Sequence, residues 1–477
     1  MASLAKNSFY NILYRCISVI FPLISVSYVS HILQAEGVGS VASATNVANY
    51  FVILAALGLP TYGTKVIGSS RNPEETNNSF WELYLINLLS TIFFSIAYYS
   101  LIFTFPFFSK HLSLYCVVGL AIVFNFINVD WFYQGKEEFG FITLRSFIVK
   151  ILALLAILLF VKTKEDILTY ALILTLSNVA NYIFNIIHLR KFVTFSKQNL
   201  KLRKHVKPIL LLLLASIIIE LYTMYGTTML TFYSSSESVG YYSNSVSIIR
   251  IIRSMVTAVC AVFLPRLSYY YSSNKHQEFK RLIEKGLGIL IYLTIPAAIG
   301  IFLVSYDAVF VLFGNSFIKA SSSVKILSFT IVTIALSNFI GYQIFITVGK
   351  EKIMVISTVI GAIINILLNF ILIRKFDFIG VAFATTLSEL SVTIYQLLEL
   401  KKLSLLNCGK KLLSSVFVSS LAMLIVVILL QQIHMLPIVE LITCITVGII
   451  TYFSVSMSLK NEFAVEILNK ILVFLKK

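Results

Sequence analysis

The stretch "EGVGSVASATNV", Glu36–Val47, returns about two hundred residues later as "ESVGYYSNSVSI", Glu237–Ile248. The Glu, Val and Gly keep their relative positions, and each time a polar segment enters an apolar run. Leu59-Pro60 and Leu264-Pro265 continue the echo. So do "NFINVDWFYQGKEE" from Asn125 and "NFIGYQIFITVGKEK" from Asn338. The order is kept while the offset drifts from 201 to 214. That is the signature of one architecture written twice.

The composition says what kind of architecture. Of 477 residues, 58% are hydrophobic and only 12% charged, where soluble domains carry about a quarter charged. Many runs approach the roughly 20 apolar residues that cross a bilayer as a helix. The chain reads as an all-α polytopic membrane protein. Fourteen spans are expected, at 9–31, 41–67, 80–106, 112–134, 142–161, 167–189, 208–232, 240–264, 285–305, 324–346, 353–373, 378–398, 412–430 and 437–458. The first run carries Arg15 and is read as a retained helix, not a cleaved signal.

The net charge of +17 does not call for nucleic acid, because the cations follow the loops. About 25 Lys and Arg fall in the terminal segments and loops on one side, against about six on the other. This bias predicts cytoplasmic N- and C-termini. Outward loops are expected to be short, the longest around Tyr306–Ala320. The longest inward loop, Arg190–Lys207, is strongly basic and is expected near anionic headgroups.

The repeat offset covers six spans, an even number, so the copies share one topology: a parallel repeat about an axis normal to the membrane. The expected organisation is an N-lobe at 1–200, a C-lobe at 201–405, and two added helices with a tail at 406–477. Paired lobes of this kind enclose a central site and rock about it. The five cysteines lie far apart without a CxxC, the six histidines lack metal-ligand spacing, and no Walker glycine loop is present. No cofactor is expected, and no catalytic group stands out.

Ionisable residues inside spans are costly and mark pathways or partners. Arg15 shares a face of the first span with Asn11, Ser18, Pro22 and Ser25. Arg250 lies on a stripe with Ser243, Ser247 and Ser254, with Arg253 beside it. The repeat sets Asn46 and Asn49 opposite Ser247 and Arg250. Arg15, Asn46, Asn49, Arg250 and Arg253 are therefore expected to line a cationic cavity for an anionic substrate group. A pyrophosphate suits the planar guanidinium fork. Among the acids, Glu220 and Glu389 sit mid-span, and Asp130 sits near an inward end beside Lys136. Each can bind a cation, carry a proton or neutralise an arginine.

The segment "SYVSHILQAEGVGSVASATNVANYFVILAALGLPTYGTKVI", Ser27–Ile67, resembles the amino-terminal signature of the Wzx-type polysaccharide flippases of the MOP superfamily. It has a Glu-Gly-x-Gly turn and then an aromatic span reaching Leu-Gly-Leu-Pro-x-Tyr-Gly. The resemblance implies movement of undecaprenyl-pyrophosphate-linked oligosaccharides, for O-antigen or capsule, across the cytoplasmic membrane. Polymerase machinery and membrane lipids are the implied partners, and the last two helices would form a groove for the lipid tail. The related lipid II flippases hold sodium between an acid on the seventh span, two Asn/Asp residues on the eleventh, and a carbonyl and a Thr on the twelfth. By that likeness Glu220, Asn365, Asn369, Val381 and Thr385 become an ion-coupling set. This chain offers Asn369 where an acid is expected, so Na⁺ and H⁺ both remain open. Two rivals stand beside this reading. A drug antiporter of the same superfamily would favour an acidic cavity. A glycosyltransferase or polymerase would need sizeable outward loops.

Overall fold

The computed structural model describes residues 4–70, 72–194, 200–405, 409–433 and 435–475; for 4–20, 471–475 and a few single helical positions only the backbone is described. Among these residues every regular element is helical. In chain order the helices are α1 (Leu4–Ala56), α2 (Leu59–Ser69), α3 (Pro73–Thr104), α4 (Leu112–Val123), α5 (Asp130–Gly135), α6 (Phe139–Phe160), α7 (Ile167–Leu189) and α8 (Arg203–Tyr233). They continue as α9 (Ser236–Ala261), α10 (Leu264–Ser272), α11 (His276–Phe313), α12 (Ala320–Ser328), α13 (Thr330–Asn338), α14 (Glu351–Lys402), α15 (Lys410–Gln431), α16 (Pro437–Ser458) and α17 (Glu462–Leu475). Nine helices among the described residues are long and apolar enough to cross a membrane, or ten if the bent pair at 320–345 is one span.

Two of these are broken in the middle. Gln34 (φ 58°, ψ −174°) interrupts α1, and Asp377 (φ 51°, ψ −132°) interrupts α14. A methyl at Gly380 would lie 2.6 Å from the Leu372 carbonyl oxygen. In a straight helix residues eight apart are about 12 Å apart along the axis. The chain therefore reverses at Asp377, and α14 is a helical hairpin with a one-residue turn. The polar segment 32–40 is likewise no loop, because helix resumes at Ala35 and the Glu-Gly-Val-Gly is its first turn. The expected long outward loop at 306–320 is also corrected: α11 runs to Phe313, leaving only Gly314–Lys319 as a connection.

The quoted glycines have a packing reason. A methyl on Gly39 would sit 1.6 Å from the Ser236 carbonyl oxygen, and one on Gly240 would sit 2.3 Å from that of Ala35. Ser236 and Ala35 stand at the repeat offset, as Gly240 and Gly39 do, so the contact is reciprocal. Backbone meets backbone here, and only glycine permits it.

The third echo marks a second device. In the copy from Asn125 the span expected at 112–134 breaks. A 3₁₀ turn occupies Phe124–Ile127, and Asn128 is extended before α5 resumes at Asp130. Asn87 of α3 covers the break, donating to the Asn125 carbonyl at 3.2 Å. In the copy from Asn338 the same place is a π-helix, Phe339–Phe345. Irregular backbone at membrane depth survives only when protein groups satisfy it.

Contacts divide the chain into two compact units, Met1–Gly240 and Tyr241–Lys477. Helix α8 follows the 200 boundary of the repeat yet packs on α1 and α2. Gly58 (φ 72°) lies against the backbone of Leu212 and Leu213, where a side chain has no room. The first unit is cored by Phe80, Leu83, Trp131, Phe132 and Tyr133. The second is cored by Leu267, Phe279, Ile283, Leu287, Phe339 and Phe345. In the latter α15 and α16 pair and pack on α11, where the Tyr452 hydroxyl donates to the Tyr292 carbonyl at 2.8 Å.

Candidate functional site

In the second unit, α9 carries Arg250 and Arg253 three residues apart, on one face. Arg250 is fourteen residues from the helix start, about 21 Å along the axis. From the other end, Ala261, Arg250 is eleven residues and Arg253 eight, about 16 and 12 Å, so both stand in the interior of the helix. Both side chains are exposed on the protein surface. Among the described residues neither guanidinium pairs with an acid. The neighbouring hydroxyls turn back to their own helix, Ser247 to the Ser243 carbonyl and Thr257 to that of Arg253. Arg253 stands at a slight surface depression beside Val256, Thr257, Ile331, Ile334, Ala335 and Asn338. Such a surface attracts an anion and supplies several unused N–H donors.

The hairpin α14 brings together most of the second-unit ion-coupling candidates. Asn369 (fully buried) donates to the side-chain oxygen of Asn365 at 3.0 Å. Asn365 donates to Ser388 Oγ across the hairpin at 3.2 Å, and Ser388 donates to the Thr385 carbonyl. Thr385 Oγ1 lies 3.0 Å from the Tyr242 hydroxyl, and Val381 is fully buried one turn before it. Asn369 Oδ1 is buried without a hydrogen-bond partner. An orphaned amide oxygen among other oxygen donors fits a hard monovalent cation, so this half of the set is compatible with Na⁺.

The other candidates belong to the first unit. Glu220 of α8 accepts from Thr223 Oγ1 at 3.1 Å. Asn46 is buried and donates to Thr228 Oγ1 at 2.8 Å, joining α1 to α8, while Asn49 is exposed. The structure thus gives Asn46 a packing bond. The side chain of Arg15 lies outside the described residues.

Two buried charge clusters were absent from the sequence reading. Asp130 does not pair with Lys136, whose Nζ donates to Thr76 Oγ1 instead. Its partner is Arg145 of α6, at 3.0 Å and 3% exposed, and Asn185 of α7 donates to the same carboxylate oxygen at 2.6 Å. Arg145 Nε also donates to Asn181. On α3, the buried Glu82 accepts from Lys204 Nζ at 2.7 Å and from the Lys201 backbone N–H at 2.7 Å. His205 Nε2 lies 2.9 Å from Glu82, and its Nδ1 lies 2.9 Å from the Tyr62 hydroxyl. A lone Glu in "WELYLINL" and a lone Arg in "FITLRSFIV" were the available signals.

Residues 4–271 match the model of the family described as polysaccharide biosynthesis protein, which is more than half of the chain. The chain belongs to the polysaccharide biosynthesis protein family. Within this family-sized frame it is similar to a protein of Escherichia coli (strain K12) named "Putative O-antigen transporter". That protein is 24% identical over 415 residues, 85% of this chain and 99% of the relative. It is also similar to "Probable flippase AglR" of Haloferax volcanii, 27% identical over about half of each chain. Among solved structures, "Lipid II flippase MurJ, inward closed conformation" superposes with a TM-score of 0.76 at 16% identity, covering 96% of this chain and 99% of the other. An inward-facing MATE multidrug transporter of the MOP superfamily gives 0.60 at 13% identity, covering 82% and 98%. The fold of this polysaccharide biosynthesis family member is that shared by these transporters.

Proposed function

We propose that this chain is a flippase that moves undecaprenyl-pyrophosphate-linked oligosaccharide repeat units across the cytoplasmic membrane by ion-coupled alternating access. The observation that carries the reading is the pair of unpaired arginines mid-way along α9. Two cations are costly at that depth without a ligand, and a pyrophosphate bears the charge that two guanidinium forks complement. Family membership supports surface-polysaccharide export as the setting. Arg15 and Asn49 of the first unit are assigned to substrate binding on the sequence pattern, and the Lys/Arg bias supports cytoplasmic termini.

Coupling is assigned to Glu220 and to the Asn365, Asn369, Val381 and Thr385 group, by Na⁺ or H⁺. A bound Na⁺ would supply charge to a cluster that has only oxygen dipoles. The chain's own contribution is to hold Asn365 and Asn369 in one orientation through Ser388. Polymerase machinery is the proposed recipient of the flipped units. A drug antiporter would want acids where α9 offers arginines. Lipid-linked oligosaccharide in proteoliposomes, scored by a membrane-impermeant glycan label, tests the proposal. Labelling that depends on this protein and on an ion gradient supports it. Gradient-driven efflux of cationic drugs without glycan labelling would replace it.

A further inference from the structure

Helix α8 opens with a face that changes character along its length. Arg203, Val206, Lys207, Leu210, Leu211 and Leu214 are exposed at helical spacing. On the opposite face His205, Ile209 and Leu213 are buried. From Arg203 and Lys207 to Leu210 and Leu214 is seven residues, about 10 Å along the axis. A lipid headgroup layer is about 5–8 Å thick on each side of the hydrocarbon. The cations therefore stand at headgroup depth when the leucines reach the acyl region.

The cations are also badly placed for the helix itself. Positive side chains at a helix N-terminus oppose its dipole, and α8 has no acid in its first turn and no side-chain cap. The nearby buried carboxylate, Glu82, is already taken by Lys204, His205 and the Lys201 N–H. That grip fixes the turn rigidly. Before it, Thr194 donates its N–H to Asn77 and accepts from the Trp81 indole, both on α3. The result is a rigid cationic ledge above a leucine face, short of negative charge.

We propose that this ledge docks an anionic phospholipid of the leaflet it faces, through Arg203 and Lys207 on the phosphate and Leu210, Leu211 and Leu214 on the chains. The docked lipid holds the α3–α8 corner at fixed depth. This rests on the membrane-transporter reading but not on the identity of the cargo.

The test uses the full-length protein in nanodiscs of phosphatidylglycerol diluted in phosphatidylcholine, with annular enrichment of phosphatidylglycerol as the readout. Arg203→Gln with Lys207→Gln should lower retained phosphatidylglycerol about five-fold per charge removed. Arg203→Lys with Lys207→Arg should keep it. The charge-matched control, Lys275→Gln with Lys280→Gln, both exposed in the second unit, should leave it unchanged. Equal loss in the control pair would mean diffuse attraction and overturn the proposal. So would a wild-type protein with no phosphatidylglycerol preference, or one that enriches only added undecaprenyl pyrophosphate. No flipping is scored, so this result and the flippase reading stand or fall separately.

Discussion

At the scale of single residues, the chain carries few charges within its helices, and each has a distinct cause. Arg250 and Arg253 were legible because nothing apolar explains two arginines in "SIIRIIRSMV". Substituting either by Ala should abolish oligosaccharide export while the protein stays in the membrane at normal level; two fully active variants would remove α9 from the substrate path. Asp130 and Arg145 behave differently, since they satisfy each other. Loss of Asp130 leaves Arg145, 3% exposed, buried without its counter-charge, a cost of about 3–5 kcal/mol. Asp130→Leu alone should lower thermal stability by that order, and adding Arg145→Met should recover much of it. This pairing was illegible because Arg145 and Asn185 reach Asp130 from other helices, α6 and α7, and not from its own local sequence. Local spacing cannot report a partner supplied by another helix.

At the scale of elements, the spans themselves were readable and their junctions were not. Apolar length fixes a membrane helix, but a one-residue reversal leaves almost no compositional trace. Gln34 and Asp377 occupy a backbone region that side chains rarely adopt, at about 1–3 kcal/mol each. Gln34→Gly should therefore raise the unfolding midpoint, by the equivalent of about 1 kcal/mol; a lower midpoint would mean the glutamine earns its place by a contact. Gly39→Ala should do the opposite. The added methyl has only the Ser236 carbonyl to push against, so α1 and α9 must part there. Reduced thermal stability in detergent is the expected outcome. The repeat pointed to these glycines without saying that they touch.

At the scale of the whole molecule, the expected all-α, many-span membrane architecture is borne out by the likeness of the fold to MurJ and MATE transporters. Fold and family were carried by patterns spread over hundreds of residues. Ion coupling is a narrower matter, because it depends on a few oxygens. Asn369→Ala should blunt the dependence of transport on the coupling gradient; because it also removes two buried donations to Asn365, the comparison is made at matched protein level in the membrane. An unchanged dependence would free the α14 hairpin from any coupling role. The most direct measurement is the leaflet distribution of lipid-linked oligosaccharide in cells with and without this protein, read by a glycan label that cannot cross the membrane. The account predicts that intact repeat units accumulate on the inner leaflet when the protein is lost. Repeat units that reach the outer leaflet normally without it would contradict the account.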